Sequence, residues 1–203
     1  DTYSYGSVIV PDDGGTSHFC VVDKDGMMVS ATETINTQFG SKVFAEPFGF
    51  PLNNEMDDFS SPGGVNIYGL RQSEKNFPEP GKRPLSSMSP IIVENEGVPF
   101  LAIGGSGGPR IISAVVQVLL RMLWFDDEPI DAVQRARLHH QWLPNAVYFE
   151  ETDMMPIVQE HLHHTGHSSR TRSHIGVVQV ILVEEGKLKP WSDQRKLGEP
   201  AGY

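Results

Sequence analysis

Gly14-Gly15-Thr16-Ser17-His18-Phe19-Cys20-Val21-Val22-Asp23 is the stretch on which the reading of this chain turns. A threonine hydroxyl is a weak nucleophile until a base takes its proton. The α-amine of the same residue can be that base, but only after the peptide bond before it is cut. A threonine that follows two glycines and leads into a strand-like run therefore reads as a residue released by chain cleavage. Gly-Gly-Thr also stands at ordinary turns, so the rest of the chain has to decide between the two.

Working outward, residues 18–22 and 27–34 are β-like, and Asp23-Lys24-Asp25-Gly26 between them suits a hairpin turn because glycine tolerates positive φ. Such a hairpin places Thr16 and Thr34 at neighbouring strand ends. Residues 40–89 are rich in Gly, Pro, Ser and Asn and read as long loops, which in a folded domain are usually functional or disordered. A second hairpin is expected from Ile91-Ile92-Val93 and Phe100-Leu101-Ala102-Ile103 through Asn95-Glu96-Gly97. A glycine turn, Gly104-Gly105-Ser106-Gly107-Gly108, then leads into an apolar helix over 109–125, with Pro109 at the first helical position, where its missing N–H costs nothing. Further helices are expected over 130–137 and 156–164, and a β-branched strand over 175–183, ended by Glu184-Glu185-Gly186. This order predicts an α+β, layered-sheet fold rather than βαβ winding.

With 203 residues, 38% hydrophobic and 21% charged, the chain is long enough for one domain with a real core. Its formal charge of -10 repels phosphate backbones and argues against a nucleic-acid partner. The single Cys20 has no internal disulfide partner and leaves the redox compartment open. No signal peptide is legible at the head of the chain. The longest apolar stretch, 111–125, contains Gln117 and Arg121 and is too short and too polar to span a bilayer.

Several clusters carry candidate chemistry. Asn53-Asn54-Glu55-Met56-Asp57-Asp58-Phe59 concentrates carboxylates in a loop. It reads as a solvated acidic turn, as a site holding a positive amine by charge-assisted hydrogen bonds, or as a metal site, although the spacing fails the EF-hand pattern. Pro84-Leu85-Ser86-Ser87-Met88-Ser89-Pro90 is either a capping segment or a donor pair for a carboxylate. The glycine turn lacks the lysine of a P-loop and is not GxGxxG. Its backbone N–H groups, ahead of a helix, suit an oxyanion hole. His161, His163, His164 and His167 read as a histidine-rich surface helix end, having neither HExxH nor a Cys/His pair for zinc. His139-His140 read as packed loop residues.

Together these segments resemble the small, catalytic subunit of γ-glutamyltransferase, from Thr16 to Tyr203. The resemblance is carried by Thr16-Ser17-His18, Thr34-Ile35-Asn36, Asn53 to Ser60, Lys82 to Pro90, Gly107-Gly108, Arg137-Leu138-His139-His140-Gln141-Trp142-Leu143-Pro144 and Glu199-Pro200-Ala201-Gly202-Tyr203. It implies the N-terminal-nucleophile hydrolase fold, a four-layer αββα sandwich, with residues 1–15 as the tail of a large subunit and 16–203 as the small one. It implies cleavage at Gly15–Thr16, a site where a glycine tolerates backbone distortion, and Thr16 as nucleophile toward a γ-glutamyl carbonyl, with its freed amine as base. By the same resemblance Thr34 orients Thr16, and Asn36, Glu55 and Asp58 bind the glutamyl α-amine. Ser86 and Ser87 bind its α-carboxylate, Gly107 and Gly108 form the oxyanion hole, and Tyr68 helps cover the site. The implied reaction moves a γ-glutamyl group from glutathione or a related amide to water, an amino acid or a dipeptide, with no metal or organic cofactor. The implied partner is the large subunit of the same precursor. Details such as Asn53-Asn54-Glu55 resemble animal-type members and imply a place outside the cell, secreted or held by an anchor in the large-subunit portion. The other readings are an inactive homologue or uncleaved fragment serving as an interaction module, and a related acylase on the same fold.

Overall fold

The hairpin around Thr16 opens the fold. The structure is a computed structural model and describes residues 15–152 and 155–202; the expected large-subunit tail, up to Gly14, lies outside the described residues. Strand β1 (Thr16–Val22) pairs antiparallel with β2 (Met28–Thr34), with Thr16 opposite Thr34 and Val22 opposite Met28. Asp23 shapes the turn: its Oδ1 accepts the N–H groups of Asp25 and Met27, each at 2.9 Å, as short acidic side chains do in turns. Along β1, Thr16 and His18 are buried while Ser17, Phe19 and Val21 are exposed, so the nucleophile candidate points inward.

The expected loop region is largely irregular. It holds one short strand pair, β3 (Phe44–Ala45) with β4 (Phe50–Pro51), and two single 3-10 turns, Glu55–Asp58 and Glu74–Asn76. Its order comes from side chains standing in for a ladder. The buried Asn76 donates from Nδ2 to Asp58 O at 2.7 Å and accepts Leu85 N–H on Oδ1 at 3.0 Å. One amide thus ties the acidic turn to the serine segment.

Strands β5 (Ile91–Asn95) and β6 (Val98–Ser106) form the second hairpin. With β10 (Val177–Glu184) and β11 (Lys187–Ser192) they make a four-stranded antiparallel sheet in the order β11-β10-β6-β5. Here the glycine run departs from expectation. Gly104 and Gly105 belong to β6, and only Gly107 and Gly108 turn. A Cβ on Gly104 would overlap the His18 imidazole, so this glycine lets the β1–β2 hairpin close onto the larger sheet.

Helices α1 (Arg110–Trp124) and α2 (Pro129–Gln134) cover the sheet's other face. Leu101 and Ile103 of β6, Val178 and Val180 of β10, Ile111, Val115 and Val118 of α1 and Val133 of α2 are each no more than 2% exposed. Each such side chain stabilises the fold by about 1.5–3 kcal/mol relative to exposure. The layers are therefore hairpin, sheet, helices. Pro109 stands one position ahead of the first helical residue.

A small mixed sheet completes the chain. β7 (Leu138–His139) pairs antiparallel with β8 (Val147–Glu150), and β8 pairs parallel with β9 (Ser169–Arg172) after the crossover helix α3 (Met155–His164). The sequence did not foretell β7, β8, β9 or β11. The first three are too short to show a period, and β11 carries Pro190, which an edge strand tolerates. The helix expected to reach Arg137 stops at Gln134 and turns extended at Arg135.

Arg137 instead enters the interior. Its guanidinium donates to Val133 O, to Ile175 O at 3.2 Å, to Gly176 O at 3.0 Å and to Asp193 Oδ2 at 2.7 Å. Both side chains of the Arg137–Asp193 pair are 0% exposed. Asp193 also accepts Val178 N–H at 2.9 Å and pairs with Arg195, which reaches Glu150. Burial alone would raise the Asp193 carboxyl, but the charges of Arg137 and Arg195 outweigh it and hold it below the usual carboxylate range. Its stabilising contribution is thus present above the unfolded carboxyl value and lost as pH falls through the lower folded one. Asp193→Ala, which strands a buried cation, should lower unfolding stability by about 3–5 kcal/mol. The paired change Arg137→Met with Asp193→Leu should cost far less, as read by denaturant unfolding.

Candidate active site

Thr16 Oγ1 lies 2.9 Å from Thr34 Oγ1 across the hairpin, as the antiparallel register dictates. The Thr34 hydroxyl also accepts Asn36 N–H at 2.7 Å and reaches Gly15 O at 3.3 Å, where Ile35 N–H donates at 2.8 Å. Two donors therefore converge on the carbonyl of the bond that precedes Thr16. A Cβ on Gly15 would collide with the Asn36–Thr37 backbone. The glycine is required there by close approach, a reason that differs from the tolerance of distortion expected from sequence.

One cleft gathers Thr16, Thr34, Asn36, Asp58, Ser86, Ser87 and Gly108, bordered by Tyr68. Asn36 adopts φ 71°, which asparagine tolerates. Its Nδ2 donates to Asn54 O at 3.2 Å and its Oδ1 accepts from the Tyr68 hydroxyl at 3.3 Å. Glu55 stands against Asp58 beside the cleft. Burial first, then the Asp58 charge, pushes the Glu55 carboxyl up to about 7. Burial, with the Asp57 charge, raises Asp58 as well. Glu55 Oε1 is buried without a hydrogen-bond partner. Two crowded carboxyl groups with unused acceptor capacity suit a cationic ligand.

Facing them, Ser86 Oγ accepts Met88 N–H at 3.1 Å and keeps its own proton available as a donor. Gly107 and Gly108 take φ 131° and 60°. A Cβ would meet Gly176 Cα at 2.8 Å from the first and the Tyr68 ring at 2.7 Å from the second, so both places admit only glycine. Their turn sits at the N-terminus of α1, where the helix dipole favours negative charge.

His18, inward on β1, hydrogen-bonds Thr32 Oγ1 at 2.7 Å, and burial pushes its imidazole down to about 4. It is a neutral packing residue, not a base. Burial likewise pushes the Cys20 thiol up to about 11. His139 is buried on β7, not in a loop, and bonds Ser113 Oγ at 2.7 Å. The histidines of α3 are exposed at its C-terminal end. No group of three or more His, Cys, Asp or Glu among the described residues is arranged to hold a metal ion. Lys196, not anticipated from sequence, donates from Nζ to Thr16 O at 2.7 Å. It lies 180 residues from its partner, and no local pattern marks it.

The profile of the Gamma-glutamyltranspeptidase family matches residues 2–203. The "Glutathione hydrolase proenzyme" of Escherichia coli is 41% identical over 191 residues, covering 93% of this chain and 33% of that protein. "Scoloptoxin SSD20" of Scolopendra dehaani is 40% identical, over 93% of this chain and 96% of its own. The solved gamma-glutamyltranspeptidase from Pseudomonas nitroreducens complexed with L-DON superposes with a TM-score of 0.86 at 41% identity, covering 92% of this chain and 99% of that one. The chain spans about a third of the length of the first curated relatives it matches. These neighbours have the αββα N-terminal-nucleophile fold, of which the hairpin, the four-stranded sheet and the two covering helices supply three layers. By sequence and by fold, the chain belongs to the gamma-glutamyltranspeptidase family.

Proposed function

We propose that this chain carries the catalytic small subunit, residues 16–203, of an enzyme that moves γ-glutamyl groups from glutathione and related amides to water, amino acids or dipeptides. The observation that carries this reading is the Thr16–Thr34 hydroxyl pair beside a Gly15 carbonyl that already holds two donors. In the precursor, Thr16 Oγ1 attacks the Gly15 carbonyl carbon. Ile35 N–H and the Thr34 hydroxyl stabilise the resulting oxyanion. The C–N bond breaks as the acyl group shifts from nitrogen to oxygen, and the nitrogen takes a proton to become the free Thr16 amine. Water then hydrolyses the ester, releasing the Gly15 carboxylate and the Thr16 hydroxyl.

In the mature enzyme that amine takes the Thr16 hydroxyl proton as Oγ1 attacks the γ-carbonyl. Backbone N–H groups of Gly107 and Gly108 hold the tetrahedral oxyanion, a role in which one donor is worth about 3–4 kcal/mol of barrier. The proton passes to the leaving amine, and an ester remains on Thr16. Water or an acceptor amine then takes the γ-glutamyl group. Asn36 Oδ1, Glu55 and Asp58 hold the α-ammonium, and Ser86 and Ser87 donate to the α-carboxylate. The reading includes the rest of the precursor as a large subunit, ending in the residues before Thr16, and a place on the outer face of the cell or in secretion.

Three measurements test the assignment. Intact-mass analysis of the full-length precursor should show two chains for wild type and one for Thr16→Ala; an uncut wild type favours an inactive interaction module. Asp58→Ala should raise KM for a γ-glutamyl anilide by about tenfold or more, the scale of a lost charged hydrogen bond, while self-cleavage proceeds. Equal loss of both would make Asp58 structural. Because an ammonium ligand needs Glu55 ionised, L-glutamate should bind the mature enzyme more weakly as pH falls below about 7, the value to which Glu55 is pushed. Calorimetry in two buffers of different ionisation enthalpy should register proton release at that pH, and Glu55→Gln should abolish it.

A further inference from the structure

The pairing of Gly15 O with Ile35 N–H at 2.8 Å makes the next pair along the hairpin, Thr16 with Thr34, a non-hydrogen-bonded one. The N–H and C=O of Thr16 therefore point away from β2, toward the edge of β1 that no strand occupies among the described residues. In extended backbone the nitrogen and carbonyl oxygen of one residue lie on the same side, about 3 Å apart. Lys196 Nζ holds that oxygen at 2.7 Å. The ammonium of Lys196 is thus fixed at the same edge as the Thr16 nitrogen.

The lysine does not reach this place by chance of a long side chain alone. It follows β11 in a turn closed by Lys196 N–H on Asp193 O at 3.2 Å. Asp193 is itself held by the buried Arg137 pair. The turn is anchored in the core, and its cation is delivered to the strand end.

We propose that Lys196 is a positioning residue that holds Thr16 by its carbonyl and keeps the neighbouring α-amine neutral, so that it can act as base. The proposal rests on the reading above, because the amine exists only in a cleaved chain. An ordinary α-amine titrates at about 7.7–8.0 and would be largely protonated at neutral pH. A second positive charge a few ångströms away disfavours that protonated form.

Among the described residues, other charged and titratable groups near Thr16 enter the balance. On β1, His18 is neutral. On β2, Glu33 is exposed. From the acidic turn, Asp58 shares the cleft and Glu55 stands behind it, and both favour a protonated amine when ionised. Tyr68 borders the cleft, and Arg110 is buried at the start of α1. When substrate is bound, its own ammonium engages the two carboxylates, while Lys196 stays on the Thr16 carbonyl.

The test compares wild type, Lys196→Met and Lys196→Arg in the full-length precursor, with cleavage checked by intact mass. Removing the cation should move the acidic limb of the kcat/KM–pH profile upward by about 0.5–1 pH unit, a shift reduced by solvent screening at an exposed lysine. Below the limb this is a loss of roughly three- to tenfold, which Lys196→Arg should restore. A Lys196→Met enzyme with lower kcat and an unmoved limb would make the lysine merely structural and overturn the proposal. Titration of the wild-type Thr16 amine by pH-dependent carbamoylation, read by mass spectrometry, can overturn the proposal even where Lys196→Met fails to fold. An amine titrating at or above the ordinary range of about 7.7–8.0 overturns the proposal, and a lower one supports it only together with the Lys196→Met shift, because burial of Thr16 also lowers an amine. An uncut wild type removes the amine altogether, and the proposal falls with the functional reading.

Discussion

The guanidinium of Arg137 has no access to water, and the rest of the molecule is arranged around satisfying it. A buried cation without partners costs several kcal/mol, and the two terminal nitrogens end on fixed acceptors while Nε is left without one. Those acceptors come from the end of α2, from the turn before β10 and from the turn after β11. Three segments distant in sequence are thereby brought to one point. Gly176, one of the acceptors, also packs directly behind Gly107. The ionic centre therefore sets the backbone against which the glycine turn ahead of α1 is formed. Through Asp193 it also anchors the turn that carries Lys196 to Thr16.

A second constraint is the spacing between the two sheets. His18 fills the interlayer space opposite Gly104, where no side chain could stand. The hairpin is seated closely enough for Thr16 to point inward beside the turn of β6 into α1. Thr16 and the glycine turn thus belong to different sheets, and the packing of those sheets controls their separation. The hairpin's outer face keeps apolar side chains in the open, Phe19 at 45% and Val21 at 49% exposure.

The cleft itself carries an electrostatic imbalance. Glu55 and Asp58 are crowded and partly desolvated, and both hold their protons more tightly than free carboxyl groups. Such an arrangement weakens the ligand-free state and is relieved by a cation. The amide of Asn76 holds the acidic turn and the serine segment at a fixed separation. One buried side chain thus links the loop that carries the carboxyl groups to the one that carries the hydroxyls.

The sequence alone determined the β1–β2 hairpin, the facing of Thr16 and Thr34, the second hairpin, α1 and the strongly β-branched β10. These follow from local rules: alternation, turn residues and a helical run of apolar side chains. The residue types of the site were also legible, because acidic, serine and glycine clusters each stand as continuous stretches. Tertiary structure decided what local rules cannot reach. It carried β6 through Gly104 and Gly105, because sheet packing there excludes a Cβ. It ended α2 early and turned Arg137 inward, because buried carbonyls and Asp193 offer better partners than a helix end. It made Gly15 necessary through the close approach of Asn36 and Thr37, and it set Lys196 on Thr16 across 180 positions. Sequence spacing encodes contacts along a strand or a helix, whereas contacts between layers depend on how closely the layers pack.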